Sequence, residues 1–251
     1  MKRLENCPGC REPTDRELMQ VIISNHHTIQ VGNTPVMMFS QEIVGRCTIC
    51  DLRFIAGRLP PEDLIVYYKD GDYTSRPGRP LDLEARAKKS GLFTRSVLQT
   101  LKSSDISPVR HLDFGCVQGN LMLAVDWMTV GVEIEPNYLK WAIEHNLEVY
   151  DGLDKVPGFF DLITLIEVLE HLDQPLDSLI ALNAKLTIGG HIMISVPDLL
   201  KGHPSPLSNR HLSAFTPTAL ENIMKKAGFE KELIYHVDLG MPTLFYVGVK
   251  K

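Results

Sequence analysis

The chain has 251 residues, 44% hydrophobic and 23% charged, with a formal net charge of −5. That is enough apolar material for one well-buried domain with a small appendage, and it excludes a disordered or low-complexity chain. No stretch is long and apolar enough to span a bilayer, and the first nine residues lack an apolar targeting core, so neither a membrane anchor nor a secretion signal is expected. The charge is uneven, with 15 Lys+Arg against 13 Asp+Glu through Asp105 and 11 against 18 after it. An acidic larger half is poorly suited to gripping a phosphate backbone, so a small molecule rather than nucleic acid is the expected partner.

Two Cys-x-x-Cys pairs open the chain, Cys7-Pro8-Gly9-Cys10 and Cys47-Thr48-Ile49-Cys50. Each places two thiolates on one tight turn, and the four sulfurs of Cys7, Cys10, Cys47 and Cys50 make the donor set of a closed, structural zinc site. A catalytic zinc would keep one position open, and four cysteines fill it. Between the pairs, residues 19–23 and 28–31 read as strands. Residues 1–57 are therefore expected to form a β-rich zinc-binding module, and reduced thiols make the cytoplasm the expected location. Residues 58–105 read as linker and capping helix. The linker runs through 59–64, Tyr67, Tyr68, Tyr73 and the turn-rich 75–80, and the helix spans 81–101, leading into or lying across the main domain.

From residue 109 short apolar runs alternate with helical segments. Strands are expected at 109–114, 129–134, 147–150, 160–166, 191–196, 232–237 and 244–249, and helices at 120–126, 136–145, 176–186 and 217–226. This alternation predicts an α/β fold, a mostly parallel sheet covered on both faces, with ligands at the carboxyl ends of its strands.

One strand ends in His111-Leu112-Asp113-Phe114-Gly115-Cys116-Val117-Gln118-Gly119-Asn120, a carboxylate followed by a glycine turn into a helix. Glycine suits a backbone that must turn sharply close to a ligand. The next strand ends in Glu133, placed to accept both hydroxyls of a ribose. With Phe160-Asp161-Leu162-Ile163-Thr164, Glu167-Val168-Leu169-Glu170-His171-Leu172, Gly189-Gly190 through Pro197, His211 through Pro217 and Ala227-Gly228-Phe229, the chain resembles the class I S-adenosylmethionine-dependent methyltransferases from about Ser107 onward. The cysteine module, Asp51-Leu52-Arg53-Phe54 and the paired tyrosines look like the N-terminal extension of some members. The resemblance implies a Rossmann-like seven-stranded sheet, last strand antiparallel, over residues 106–251. It also implies a cofactor site in which Asp113, Gly115 and Gly119 shape the methionine end, Glu133 holds the ribose, Ile134, Gly152 and Leu153 flank the adenine, and Glu167 closes the floor. Relatives usually have glycine where this chain has Val117; a β-branched side chain there resists positive φ and crowds the ligand. The helix between Gly119 and Gly131 is also short. Cys116 reads as a small buried filler.

Methyl transfer from a sulfonium needs alignment, proton removal and exclusion of water more than covalent help. Glu170, His171 and His211, with Glu167, are the candidates beside the sulfonium. One reading has them hold Mg²⁺ or a similar ion, as in the metal-assisted O-methyltransferases the pattern is similar to. The other has Glu170 and His171 bond locally while His211 alone acts as base or substrate ligand. His26, His27, His145 and His203 read as solvated surface. The expected activity is methylation, chiefly at oxygen, of a small molecule; a zinc-ribbon RNA methyltransferase and a non-catalytic scaffold are the alternatives.

Overall fold

The computed structural model describes residues 2–13, 18–23, 27–31, 34–38, 41–58, 83–202, 207 and 211–251. The expected linker at 59–64, the tyrosine run and the turns at 75–80 lie outside the described residues, as do His26 and His203.

Seven strands form one mixed sheet: β1 (Arg110–Phe114), β2 (Met128–Val132), β3 (Val149–Tyr150), β4 (Phe160–Ile166), β5 (Leu186–Pro197), β6 (Phe229–Asp238) and β7 (Pro242–Lys250). Their order across the sheet is β3-β2-β1-β4-β5-β7-β6. The first four neighbouring pairs are parallel, and β7 runs antiparallel to both of its neighbours. All seven expected strands are present.

The helices are α1 (Leu83–Ser103), α2 (Asn120–Leu123), α3 (Pro136–Glu144), α4 (Pro175–Lys185) and α5 (Pro217–Lys226). Prolines at the starts of α3, α4 and α5 fall where the helix leaves an N–H without an intrahelical partner, so they cost it nothing. Helix α2 is a single turn, shorter than the expected 120–126. Only Leu121 and Met122 are buried in it, so no apolar stripe carries a second turn.

The central strands are covered on both faces, which is why they read as unbroken apolar runs. On one face Leu162, Met193, Phe245 and Val247 pack with Val97 and Leu101 of α1, which stand one turn apart on the same stripe. On the other, Ile163, Leu165, Ile192 and Ile194 join Leu176, Leu179 and Leu182 of α4 and Leu220 and Ile223 of α5. Truncating one of these leucines to alanine costs about 2–5 kcal/mol.

The N-terminal residues are β-rich, and they join the main body. Beyond the two expected strand pieces there are strands at Thr34–Met38, Gln41–Arg46 and Arg53–Ile55. Arg53–Ile55 pairs on one side with Gln41–Arg46 and on the other with a two-residue strand from far along the chain, Ser213–Ala214. Leu52, Phe54 and Ala56 are fully buried in the same cluster as Leu169, Phe215 and Leu220.

Candidate active site

Strand β1 delivers Asp113 to the carboxyl edge of the sheet, and the chain then turns through three left-handed residues, Gly115 (φ 78°), Val117 (φ 53°) and Gly119 (φ 68°). A Cβ at Gly115 would stand 2.5 Å from a methyl of Val168, so packing as well as φ calls for glycine there, whereas at Gly119 it would meet only the terminal methyl of Leu147, at 2.3 Å, and φ is the constraint. Val117 takes the left-handed conformation without glycine's freedom, at a cost of about 1–2 kcal/mol. Its N–H is held by the carboxylate of Glu133, whose Oε1 also accepts from the N–H groups of Ile134 and Glu135 at 2.8 Å each. Burial raises the Glu133 carboxyl above its ordinary range, and these three donors oppose that.

Two adjoining hollows open beyond the ends of β1, β2 and β4 and share Gly115, Val117 and Glu167. The first is lined by Asp113, Cys116, Gln118, Asn120 and Leu121, and is covered by Phe93, Thr94 and Val97 of α1. The second is lined by Glu133, Ile134, Glu135, Tyr138, Val168 and His171. Helix α1 thus lies across the site. Gly119 does not border either hollow; it supports the loop from behind, against Leu147. Gly152 and Leu153 follow β3 and open a short 3-10 turn, Leu153–Lys155, outside both linings. Cys116 is buried, and its thiol is pushed well up by burial and by the charges of Asp113 and Glu133, as suits an unreactive filler.

Glu167 follows β4 in the left-handed region (φ 56°), a conformation that a non-glycine residue keeps only when its surroundings hold it. Ser195 on the neighbouring β5 does so: its hydroxyl donates to Glu167 Oε1 at 2.9 Å and its carbonyl accepts from the Glu167 N–H at 3.1 Å. Ser195 was visible in the sequence as a polar residue inside an apolar strand, the signal that would have marked it as a support of the site.

The turn Leu169–His171 then brings Glu170, His171 and His211 together, with their ligand-type atoms within 4.8 Å of one another. The two imidazoles meet edge to face, centroids 4.8 Å apart, and His171 Nε2 is 3.8 Å from Glu170 Oε1. Glu170 is 1% exposed, and neither carboxylate oxygen has a hydrogen-bond partner among the described residues. Burial and the charge of Glu167 raise its pKa well above the carboxylate range. Glu167, engaged by Ser195, is not part of this cluster.

The four thiols form a second cluster: Cys7 and Cys50 sulfurs are 3.6 Å apart, and Cys10 and Cys47 sulfurs 3.4 Å. The hydrogen bond from Cys50 draws the Cys7 thiol down to about 6, whereas burial pushes Cys10 up to about 12. Leu212, next to His211, is tied to this module, its carbonyl accepting from the Ile55 N–H at 2.9 Å. The Thr216 hydroxyl caps α5 at the Ala219 N–H and donates to Asp51.

A parallel-centred sheet with a glycine turn after its first strand and a carboxylate after its second defines a doubly wound protein that binds its ligand at the strand ends. The family model described as methyltransferase domain matches residues 83–234, and the chain belongs to that family. It is 32% identical over 100 residues to a ubiquinone biosynthesis O-methyltransferase of Xanthomonas campestris, a match spanning 34% of this chain and 42% of that one. Among solved structures, magnesium protoporphyrin IX methyltransferase of Synechocystis with bound S-adenosylhomocysteine superposes with TM-score 0.57 at 13% identity, covering 76% of this chain and all of that one. A possible histamine N-methyltransferase of Thermotoga maritima gives TM-score 0.54 at 19% identity, covering 67% and 94%. These two likenesses establish the fold. Among the described residues, no helix is long and apolar enough to cross a membrane.

Proposed function

We propose that the chain transfers a methyl group from S-adenosylmethionine to a hydroxyl oxygen of a small molecule. The observation that carries this reading is a juxtaposition: Glu133 and His171 line the same hollow, and next to His171 stands a buried Glu170 whose oxygens have no hydrogen-bond partner among the described residues. The name of the Xanthomonas relative supports oxygen as the acceptor atom. Bound S-adenosylmethionine supplies a methyl group already activated on a sulfonium, so the chain's task is alignment and exclusion of water. In this reading Asp113, Gly115 and, from behind the loop, Gly119 shape the methionine end. Glu133 takes one ribose hydroxyl with its remaining lone pair, since three backbone N–H groups occupy the others, Ile134 and the Gly152-Leu153 backbone flank the adenine, and Glu167 forms the floor. Glu170, His171 and His211 would hold a divalent ion, Mg²⁺ or one better suited to two imidazoles, whose charge lowers the pKa of an acceptor hydroxyl. The orphaned Glu170 oxygens favour this over local capping, since a buried carboxylate needs a compensating partner.

The four cysteines fit structural zinc. A tetrahedron with Zn–S bonds of about 2.3 Å has sulfurs about 3.8 Å apart, close to the spacings here. We assign residues 1–57 to this module, 58–105 to the linker and capping helix and 106–251 to the methyltransferase unit, in a reducing cytoplasm. Calorimetry with S-adenosylhomocysteine, followed by a divalent-ion titration of the complex, tests the reading. Tight binding that Glu133→Ala weakens supports it; no binding to folded protein would leave a fold kept as a scaffold.

A further inference from the structure

Three buried side chains behind the glycine loop form a line of which the methyl-transfer reading uses only the last, Asp113. His111 and Asp113 stand two residues apart on β1 and share one face of the sheet. Thr164 on β4 is in register with Asp113 and lies between them, its Oγ1 2.7 Å from Asp113 Oδ1 and 2.8 Å from His111 Nε2. His111 and Thr164 are fully buried, and Asp113 is 5% exposed. Asp113 alone of the three borders a hollow, the one capped by α1.

We infer that His111 and Thr164 are positioning residues: they form a one-way donor chain that holds Asp113 as a carboxylate aimed at a cationic group of the ligand. The inference rests on the reading of that hollow as the methionine end of the cofactor site. With the one proton of the Thr164 hydroxyl given to one of its two neighbours, two arrangements are open. Either His111 Nε2–H donates to Thr164 and Thr164 donates to an ionised Asp113, or a protonated Asp113 donates to Thr164 and Thr164 to a bare Nε2. The other ring nitrogen decides between them. Nδ1 of His111 is buried and has no partner among the described residues. In the first arrangement it is a lone pair; in the second it is a buried N–H with nothing to bond, the costlier orphan. Burial pushes the imidazole down to about 3, so the ring is neutral and carries one N–H.

The surroundings say what the carboxylate is for. In the same hollow as Asp113 stand the Cys116 thiol from its own loop and Glu167 from just after β4, and Cys116 feels the charges of both Asp113 and Glu133, which follows β2. Helix α1 contributes Phe93, Thr94 and Val97 there, and the described residues lining the hollow include no cation. Unpaired, a carboxylate in this setting takes up a proton; burial raises Asp113 to about 6 even with the Thr164 hydroxyl opposing it. The charge missing from the wall is the one that the α-ammonium of an S-adenosyl ligand brings.

The sign follows. The ligand needs the carboxylate, so affinity is full above the Asp113 pKa of the free protein and falls as pH drops through it. Removing the donor raises that pKa and moves the fall to higher pH. The experiment is calorimetric titration with S-adenosylhomocysteine across a pH series, for the parent, Thr164→Val and Thr164→Ser. Thr164→Val is expected to move the midpoint of the fall upward by about one pH unit, the scale of one hydrogen bond to a charged group. Thr164→Ser should restore it, and His111→Phe should give a smaller move in the same direction. An unmoved midpoint, or a loss equal at every pH, would overturn the inference and leave Thr164 as packing alone. Should Thr164→Val not fold, nitrogen NMR of the His111 ring in the parent decides: the Nε2–H form is expected, and an Nδ1–H or charged ring would overturn the donor chain. A parent that binds no S-adenosylhomocysteine sinks the cofactor reading instead, and the ring tautomer still tests the chain.

Discussion

The main-chain N–H of Val117 donates to Oε2 of Glu133 at 2.9 Å, tying the loop after the first strand to the end of the second. The carboxylate expected to hold a ribose is therefore also the clamp on the one β-branched residue in the left-handed region of that loop. Glu133→Ala removes both functions and leaves the Val117, Ile134 and Glu135 N–H groups without their acceptor. Affinity for S-adenosylhomocysteine should fall by about 1.5–3 kcal/mol or more, the range for hydrogen bonds to a charged group. Calorimetry checks this, and an affinity equal to the parent's would put the ribose elsewhere.

Val117 borders both hollows and holds a φ that suits glycine. Val117→Gly should relieve strain of about 1–2 kcal/mol while giving back roughly 0.5–1 kcal/mol in chain entropy, so the melting temperature should barely move. Affinity for S-adenosylhomocysteine should rise, because the side chain no longer stands between the hollows. Unchanged affinity would show that the loop had already adapted to valine.

Glu170 makes a prediction about pH. Its folded pKa is raised by burial and by the charge of Glu167, so between the ordinary carboxylate pKa and the raised one the folded state binds a proton that the unfolded state has lost. Stability therefore decreases as pH rises through that window. Thermal melts without added metal should show this slope in the parent, and Glu170→Gln should flatten it. Mg²⁺ or Mn²⁺ should restore the parent at neutral pH and leave Glu170→Gln unaffected; equal responses from both proteins would remove Glu170 from the ion site.

The cysteine module should report on His211. Ile55 N–H bonds the Leu212 carbonyl, Arg53–Ile55 pairs with Ser213–Ala214, and Asp51 accepts from Thr216. Purified protein is expected to hold about one zinc per chain, as a four-thiolate site requires. Stripping it, or Cys47→Ser, should speed amide exchange over 212–216 while protection in β1 and β4 stays. Exchange unchanged after metal loss would mean that the pairing stands without the cluster.

Much of this molecule could be read from local pattern. The seven strands and four of the helices follow from apolar runs and proline starts, which depend on neighbours within a few residues. The turn after Asp113 followed from glycine chemistry, and the closeness of Glu170 to His171 from a single turn of chain. Asp113 and Glu133 were legible because each ends a strand of that pattern. Tertiary structure alone decided the rest. Ser213–Ala214 is too short to show a period, and its partner lies about 160 residues earlier, so only the assembled sheet joins the cysteine module to the His211 segment. That His171 and His211 meet ring to ring is likewise a contact between segments 40 residues apart in the chain. The line from His111 through Thr164 to Asp113 crosses between two strands whose register the sheet sets. The hold of Glu133 on Val117 exists because parallel strands end side by side, a relation between chain segments that no local pattern records.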